Sequence, residues 1–251
     1  MNPGRFSLCF IVAGCLSAQP PKPQTQPEFE AYVQSAEARM DARKAVPVAS
    51  RQKAVQTIEA NGANPHKLSG GQLYDWIGTV FIPGASLEKL IRMLQDYDHR
   101  ATYFPETIAS SKLLCRDGNR FRYTMRLKEP ALIDVESDVV WDPVNDHRCH
   151  CRSYSLKTAE VGKDHGYLRQ FYSYWWFAEV DKGVSVQAET ITLSDEFGAM
   201  TRALGSMLMG INPEKSLRHS LASMRESVLK PGLEIPAPPQ GTPACGQAST
   251  H

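Results

Sequence analysis

The chain has 251 residues, 42% of them hydrophobic and 22% charged, enough for one well-cored domain with appendages. Lys+Arg number 28 against 27 Asp+Glu, and no block of like charge stands out. Without a basic excess to neutralise a phosphate backbone, nucleic acid is excluded as a partner class.

The N-terminus reads as a leader. "MNPGRFSLCFIVAGCLSAQPPKPQ" places Arg5 before an apolar run from Phe6 to Ala13, then small residues and a Pro/Gln stretch, the order of a secretory signal over 1–18. The run is too short to span a bilayer. Cleavage falls either near Ala18 or before Cys15, because Val12-Ala13-Gly14-Cys15 resembles a bacterial lipoprotein box. The expectation is an exported protein, periplasmic or anchored to the membrane through a lipidated Cys15. Six cysteines divide unevenly: Cys9 and Cys15 in the leader, Cys245 in a Pro/Gly/Ser/Thr-rich tail, and Cys115, Cys149 and Cys151 in the domain. Three is no disulfide framework, and a domain of this size can be stable without one.

After a proline-stiffened linker at 19–27, an N-terminal helix and connecting segment fill 28–71. Phe29, Tyr32, Val33, Ala36 and Met40 fall on one helical face, and Pro47 closes the segment. Residues 51–60 fit either state, and 60–71 is loop by composition. The main domain begins at 72. "QLYDWIGTVFIPG" (72–84) is aromatic and β-branched and ends in Pro-Gly, so it predicts a strand. Ser86 can cap a helix whose stripe is Leu87, Leu90, Ile91, Leu94 and Tyr97. From Ile108 the period changes to two. Phe121, Tyr123, Met125 and Leu127 alternate with cations, and Ile133, Val135, Val139 and Trp141 alternate with Asp134, Glu136 and Asp138. Antiparallel pairing around Glu129-Pro130 sets Lys128, Arg126 and Arg122 near those acids, a solvated and paired sheet surface. Strands at 147–161 and 167–180 and a turn at Asp181-Lys182-Gly183 lead to a last strand at 184–194. Ser194 and Asp195 are then expected to open a helical region lined by Phe197, Met200, Leu204, Met207, Leu208 and Ile211. It breaks at Asn212-Pro213 and resumes with Leu217, Leu221, Met224 and Val228. Residues 230–251 read as a disordered tail. The order of elements predicts an α+β fold, an antiparallel sheet with helices on one face.

Within that frame "LQDYDHRATYFPE" (94–106) resembles the segment closing the first helix of START-like domains, also called the SRPBCC or helix-grip superfamily. "RSYSLKTAEV" (152–161), "DHGYLRQFYSYWWFAEVDKGVSVQAETITLS" (164–194) and "PEKSLRHSLASMR" (213–225) are similar to an exported bacterial branch of unassigned activity. The resemblance covers about 72–229 and implies a curved sheet gripping the long C-terminal helix around an apolar cavity. It does not by itself give a function.

"DHRCHC" (146–151) has the residue types of a metal site. On a strand, however, His147, Cys149 and Cys151 share one face while Arg148, His150 and Arg152 share the other, so the donors cannot surround one ion. No metal is expected there, and Cys149 and Cys151 are poorly placed to bond each other.

A two-residue turn at Lys182-Gly183 sets Phe177 opposite Ala188 and Trp175 opposite Thr190; a three-residue turn brings in Trp176 and Tyr174. The resemblance selects the first. The expected ligand wall is Phe121, Tyr123, Met125, Val135, Val139, Trp141, Trp175, Phe177, Val184 and Val186, lidded by Met200, Leu204 and Met207. The function that follows is an exported carrier or sensor of an apolar small molecule or lipid. The alternatives are a cyclase/aromatase-type enzyme using the same cavity and an envelope protein-interaction domain presenting an aromatic such as Trp176. No acid or histidine is assigned to the wall, so no catalytic residue is named, and no cofactor is expected; Asp98, His99 and His165 read as rim or helix-end residues.

Overall fold

The computed structural model describes residues 23–42, 55–60, 64–196, 212–237 and 241–246. The expected leader and the helix expected over 197–211, with Met200, Leu204 and Met207, lie outside them.

The first helix, α1 (Thr25–Asp41), starts inside the expected linker. Proline is tolerated in a first turn, where its missing N–H would have no partner, and Pro27 sits there. The Thr25 hydroxyl donates to the Ser69 carbonyl, and Glu28 Oε2 accepts from the Ser69 N–H at 2.6 Å, tying the turn to the chain ahead of the sheet. Two short strands follow, β1 (Gln56–Glu59) and β2 (His66–Leu68), where composition had suggested an ambiguous segment and a loop. Both pair with β3 (Gly71–Pro83), so the sheet begins before residue 72.

Ser86 then caps α2 (Leu87–Gln95) as expected, its hydroxyl accepting from the Lys89 N–H. A 3-10 turn (Tyr97–His99) and the short α3 (Arg100–Tyr103) lead to β4 (Ile108–Asp117), β5 (Arg120–Leu127), β6 (Ile133–Asn145), β7 (Arg148–Glu160), β8 (Gln170–Val180) and β9 (Gly183–Asp195). The chain closes with α4 (Pro213–Leu229), capped by Asn212, whose side chain accepts from the Lys215 N–H. All pairings are antiparallel, in the order β1-β3-β9-β8-β7-β6-β5-β4 with β2 also on β3. β9, last in sequence, lies beside β3 because the meander returns to the sheet's first long strand.

β5 and β6 pair in the register the charges suggest, Arg126 opposite Asp134 and Arg122 opposite Asp138. Both pairs are bidentate, with Nε–Oδ1 distances of 2.7 Å. Lys128 departs from that ladder and donates to the Pro105 carbonyl at 2.5 Å. The β8–β9 hairpin turns one residue earlier than expected: Val180 pairs with Gly183, so Phe177 faces Val186, Trp175 faces Ala188 and Ser173 faces Thr190. Lys182 takes the left-handed conformation (φ 66°). Gly183 belongs to the strand, where a Cβ would stand 2.3 Å from the Ile82 carbonyl oxygen. Close approach, rather than the turn, needs that glycine. Side-chain faces survive the shift because it moves both strands together.

Ser194 and Asp195 belong to β9, and the helix they are expected to open lies outside the described residues. They pair with Gln72 and Gly71, and the Asp195 carboxylate is held by Arg169.

Each face of the sheet has its own core. On the inner face, α2 and α4 pack with Val80, Ile82, Phe121, Val135, Phe177 and Val186 in one cluster. Gly78 of β3 lets α4 close in, since a Cβ there would lie 2.5 Å from Leu221 Cδ1. On the outer face, Phe29, Val33, Ala36 and Met40 of α1 cover Leu73, Tyr174, Ile191 and Leu193. β9 is therefore buried on both sides along its whole length.

That outer core is polar at its centre. Asp75 and Glu189 are fully buried, Arg39 of α1 bridges them at 3.2 Å to each, and the Tyr32 hydroxyl donates to Asp75 at 2.9 Å. Trp176, the aromatic that the envelope-interaction alternative would present, is half-buried against this cluster and edge-on to His150.

The tail is also held. Leu233 and Ile235 pack on the inner core, the Arg116 N–H donates to the Pro243 carbonyl at 2.9 Å, and Cys245 forms a disulfide with Cys115. Counting cysteines by segment hid this bond, because its partners lie 130 residues apart, one of them in what composition marks as tail.

Candidate ligand pocket

The inner face is not filled throughout. A pocket of about 180 Å³ is lined by side chains from each strand from β3 to β9, by the α2–α3 corner, by the α3–β4, β5–β6 and β7–β8 connections, and by the start of α4. Of the expected wall, Tyr123, Met125, Trp141, Trp175 and Phe177 line it. Their rings are ordered by one another: Trp141 stacks near Phe177 (5.8 Å between centroids) and Trp175 stacks parallel to it at 6.2 Å.

Phe121, Val135, Val139, Val184 and Val186 do not line the pocket; they are buried in the packed inner core. Val184 and Val186 pair with Ile82 and Val80 and are closed over in the same cluster as Leu87 and Leu90 of α2. Phe121 packs on Tyr97 at 5.2 Å. Alternation puts all five on the right face, but it cannot say which stretch of that face a helix covers.

Several lining residues carry no hydrophobic signal. Ser173 and Thr190 face each other across β8 and β9, with Thr192 and Ser194 further along, and α4 contributes Ser216 and Ser220. Small polar residues on an otherwise apolar face leave volume unfilled, and that is the signal that could have located the pocket. Both indole N–H groups of the wall are satisfied inside the protein: Trp175 Nε1 donates to Ser173 Oγ at 3.0 Å, and Trp141 Nε1 donates to the Tyr97 hydroxyl at 2.9 Å. Burial raises the Tyr97 pKa well above its ordinary value.

Arg100 also reaches the pocket, from the corner after α2. Its guanidinium lies over the Tyr97 ring at 4.5 Å and the Tyr123 ring at 5.1 Å, and Nη2 donates to the Leu94 carbonyl, 2.8 Å away at the C-terminal end of α2. Although "DYDHR" is part of the segment that carries the family resemblance, Arg100 looks in sequence like an ordinary cation at a helix end.

The neighbouring charged candidates are structural. Asp98 Oδ1 accepts from the Leu113 N–H at 2.9 Å and anchors β4, His99 pairs with Asp96, and His165 with Glu160. In "DHRCHC", Cys149 and Cys151 face the inner core, His150 lies on the opposite face, and His147 pairs with Glu179 outside. Burial pushes the Cys149 thiol up to about 11 and the Cys151 thiol higher, so neither is a ready nucleophile. Cys151 lines the pocket as a small apolar group.

No protein-family model and no curated protein matches the chain. Solved structures similar to it include a STAR-related lipid transfer protein from Xanthomonas axonopodis (12% identity, 67% of this chain and 98% of that one, TM-score 0.48). The Zhui aromatase/cyclase of a Streptomyces species (11%, 62% and 93%, 0.47) and a START superfamily protein from Mycobacterium smegmatis (12%, 62% and 96%, 0.43) are similar in the same way. The architecture is an α+β fold, an open antiparallel sheet whose last strand returns beside the first long one, with helices between those two and a C-terminal helix packed on the inner face.

Proposed function

We propose that the protein is an exported carrier or sensor that holds an apolar small molecule or lipid between the inner face of the sheet and α4. The observation that carries the reading is the pocket, where aromatic and aliphatic side chains from β3, β4, β5, β6 and β8 leave a volume whose surface is mostly apolar. This is the composition of sites that bind apolar ligands. Export is supported by the order of charge, apolar run and small residues over 1–18, and by the Cys115–Cys245 disulfide, since such bonds persist in oxidising compartments.

A solvent-sensitive apolar dye should bind the native protein in about 1:1 ratio and raise its melting temperature, because a ligand that binds only the folded state stabilises it. Thr190→Trp, which fills the pocket from β9, should remove binding while the protein stays folded. Dye binding unchanged by Thr190→Trp would sink the assignment of the site. For export, tagged protein should be recovered outside the cytoplasm with its N-terminus near Gln19, or acylated at Cys15; intact Met1 on cytosolic protein would refute it.

A further inference from the structure

Arg100 is the only cation among the described residues lining the pocket, and it lacks a carboxylate. All 27 Asp and Glu residues of the chain are among the described residues, and none pairs with Arg100. Glu129, the other charged lining residue, lies beside Lys215 instead, at 3.9 Å. A guanidinium has five N–H donors in a fixed fork. Here Nη2 reaches the Leu94 carbonyl, while Nε is buried with no partner. Stacking on Tyr97 and Tyr123 stabilises the cation and holds its plane, but leaves the edge donors unfilled. A buried orphaned donor in a native structure calls for an ion, a water or a ligand group to meet it.

We propose that Arg100 receives the anionic head of the ligand, so that the pocket takes an apolar monocarboxylate whose hydrocarbon part lies along Trp141, Trp175 and Phe177. The proposal rests on the reading above that the pocket binds an apolar molecule, and it names the class. A carboxylate matches the guanidinium fork with two parallel hydrogen bonds. A single positive charge balances a monoanion, whereas a phosphate dianion would leave one charge buried and unpaired, which is costly. Tyr123 stands beside the guanidinium, its hydroxyl engaged only with the Met125 sulfur at 3.8 Å, and supplies a second donor.

The test titrates the full-length mature protein with decanoic acid, decanol and decyl phosphate by calorimetry. Hydrogen bonds to a charged group are worth enough that decanoate should bind about tenfold more tightly than decanol, with decyl phosphate weaker than decanoate. Arg100→Met should cut decanoate affinity about tenfold and leave decanol within about threefold, while Arg100→Lys should retain part of the preference. Equal loss of both ligands in Arg100→Met, or no preference in the wild type, would overturn the head-group assignment and leave the apolar pocket standing. If neither decanoate nor decanol binds the wild type, both readings fail. Should Arg100→Met not fold, the wild-type preference decides, because it must disappear as the pH falls through the acid's own pKa; a preference that survives protonation overturns the proposal.

Discussion

Asp138 and Asp75 are carboxylates in opposite predicaments. Burial pushes the Asp138 pKa up, but the Arg122 and Arg120 guanidiniums outweigh it and hold the group below the ordinary aspartate value. A depressed folded-state pKa contributes stability that is present above the unfolded value, near 3.9, and lost as the pH falls through the folded one. Asp75 lies under α1, where burial dominates and raises its pKa against the opposing pull of the Tyr32 hydroxyl, Arg39 and His66. Its contribution is present below the unfolded value and lost as the pH rises through the folded one. The two asparagine variants should therefore diverge in sign. From acid to neutral pH, wild type should gain stability relative to Asp138→Asn and lose it relative to Asp75→Asn, as read from denaturant melts at each pH. Parallel slopes for the two variants would show that one environment has been misjudged. The Asp138 ladder was legible in sequence because alternating charge on two adjacent strands leaves one sensible register. The Asp75–Arg39–Glu189 cluster was not, because Arg39 and Glu189 lie 150 residues apart and meet only once a helix is laid on the sheet.

At the scale of elements, α4 is seated by an absence. Gly78 has no side chain where Leu221 and Leu217 descend onto β3, the nearest carbons standing 2.5 and 3.0 Å from the position a Cβ would take. Gly78→Val should destabilise the protein by about 1–3 kcal/mol through overpacking. Leu221→Ala alone should cost about 2–5 kcal/mol by leaving a cavity. Combined, the two changes should cost less than their sum, since the added methyls occupy the space the leucine vacates; a strictly additive double mutant, read by denaturant melts, would place α4 elsewhere. Most of the strands and both capped helices, α2 and α4, were readable from period and cap residues. What sequence could not show was α1 covering the outer face, because its apolar stripe fits any partner surface. For the same reason the faces of β5 to β9 were legible while the pocket was only half so. A residue's face follows from parity, but whether that face meets helix or open volume depends on where α2 ends, and parity has no information on that.

For the molecule as a whole, the two edges of the sheet are managed differently. At the β3 edge, β1 and β2 pair directly, and Thr57 of β1 donates to Glu214 of α4 at 2.6 Å. At the β4 edge the returning tail supplies a carbonyl from Pro243 to the Arg116 N–H, and the adjacent Cys115–Cys245 disulfide fixes it there. An edge occupied in this way is blunted as a template for pairing with other chains. The bond also links β4 to a segment beyond α4, so its loop encloses β5 to β9 and the last helix. In the chain-entropy model, closing a loop of 130 residues restricts the unfolded state by about 5 kcal/mol, a value that native strain or residual unfolded structure reduces. Cys245→Ser should accordingly lower stability in denaturant melts by up to about 5 kcal/mol, with dye binding at the pocket preserved, since neither cysteine lines it. Native thiol titration of a chain beginning at Gln19 separates this from a packing effect. Cys149 and Cys151 are buried, with thiols whose pKa burial raises, so the wild type should show no reactive thiol and Cys245→Ser one, at Cys115. A wild type that titrates one or more thiols while folded, or a Cys245→Ser variant as stable as its parent, would mean that the tail does not close the molecule.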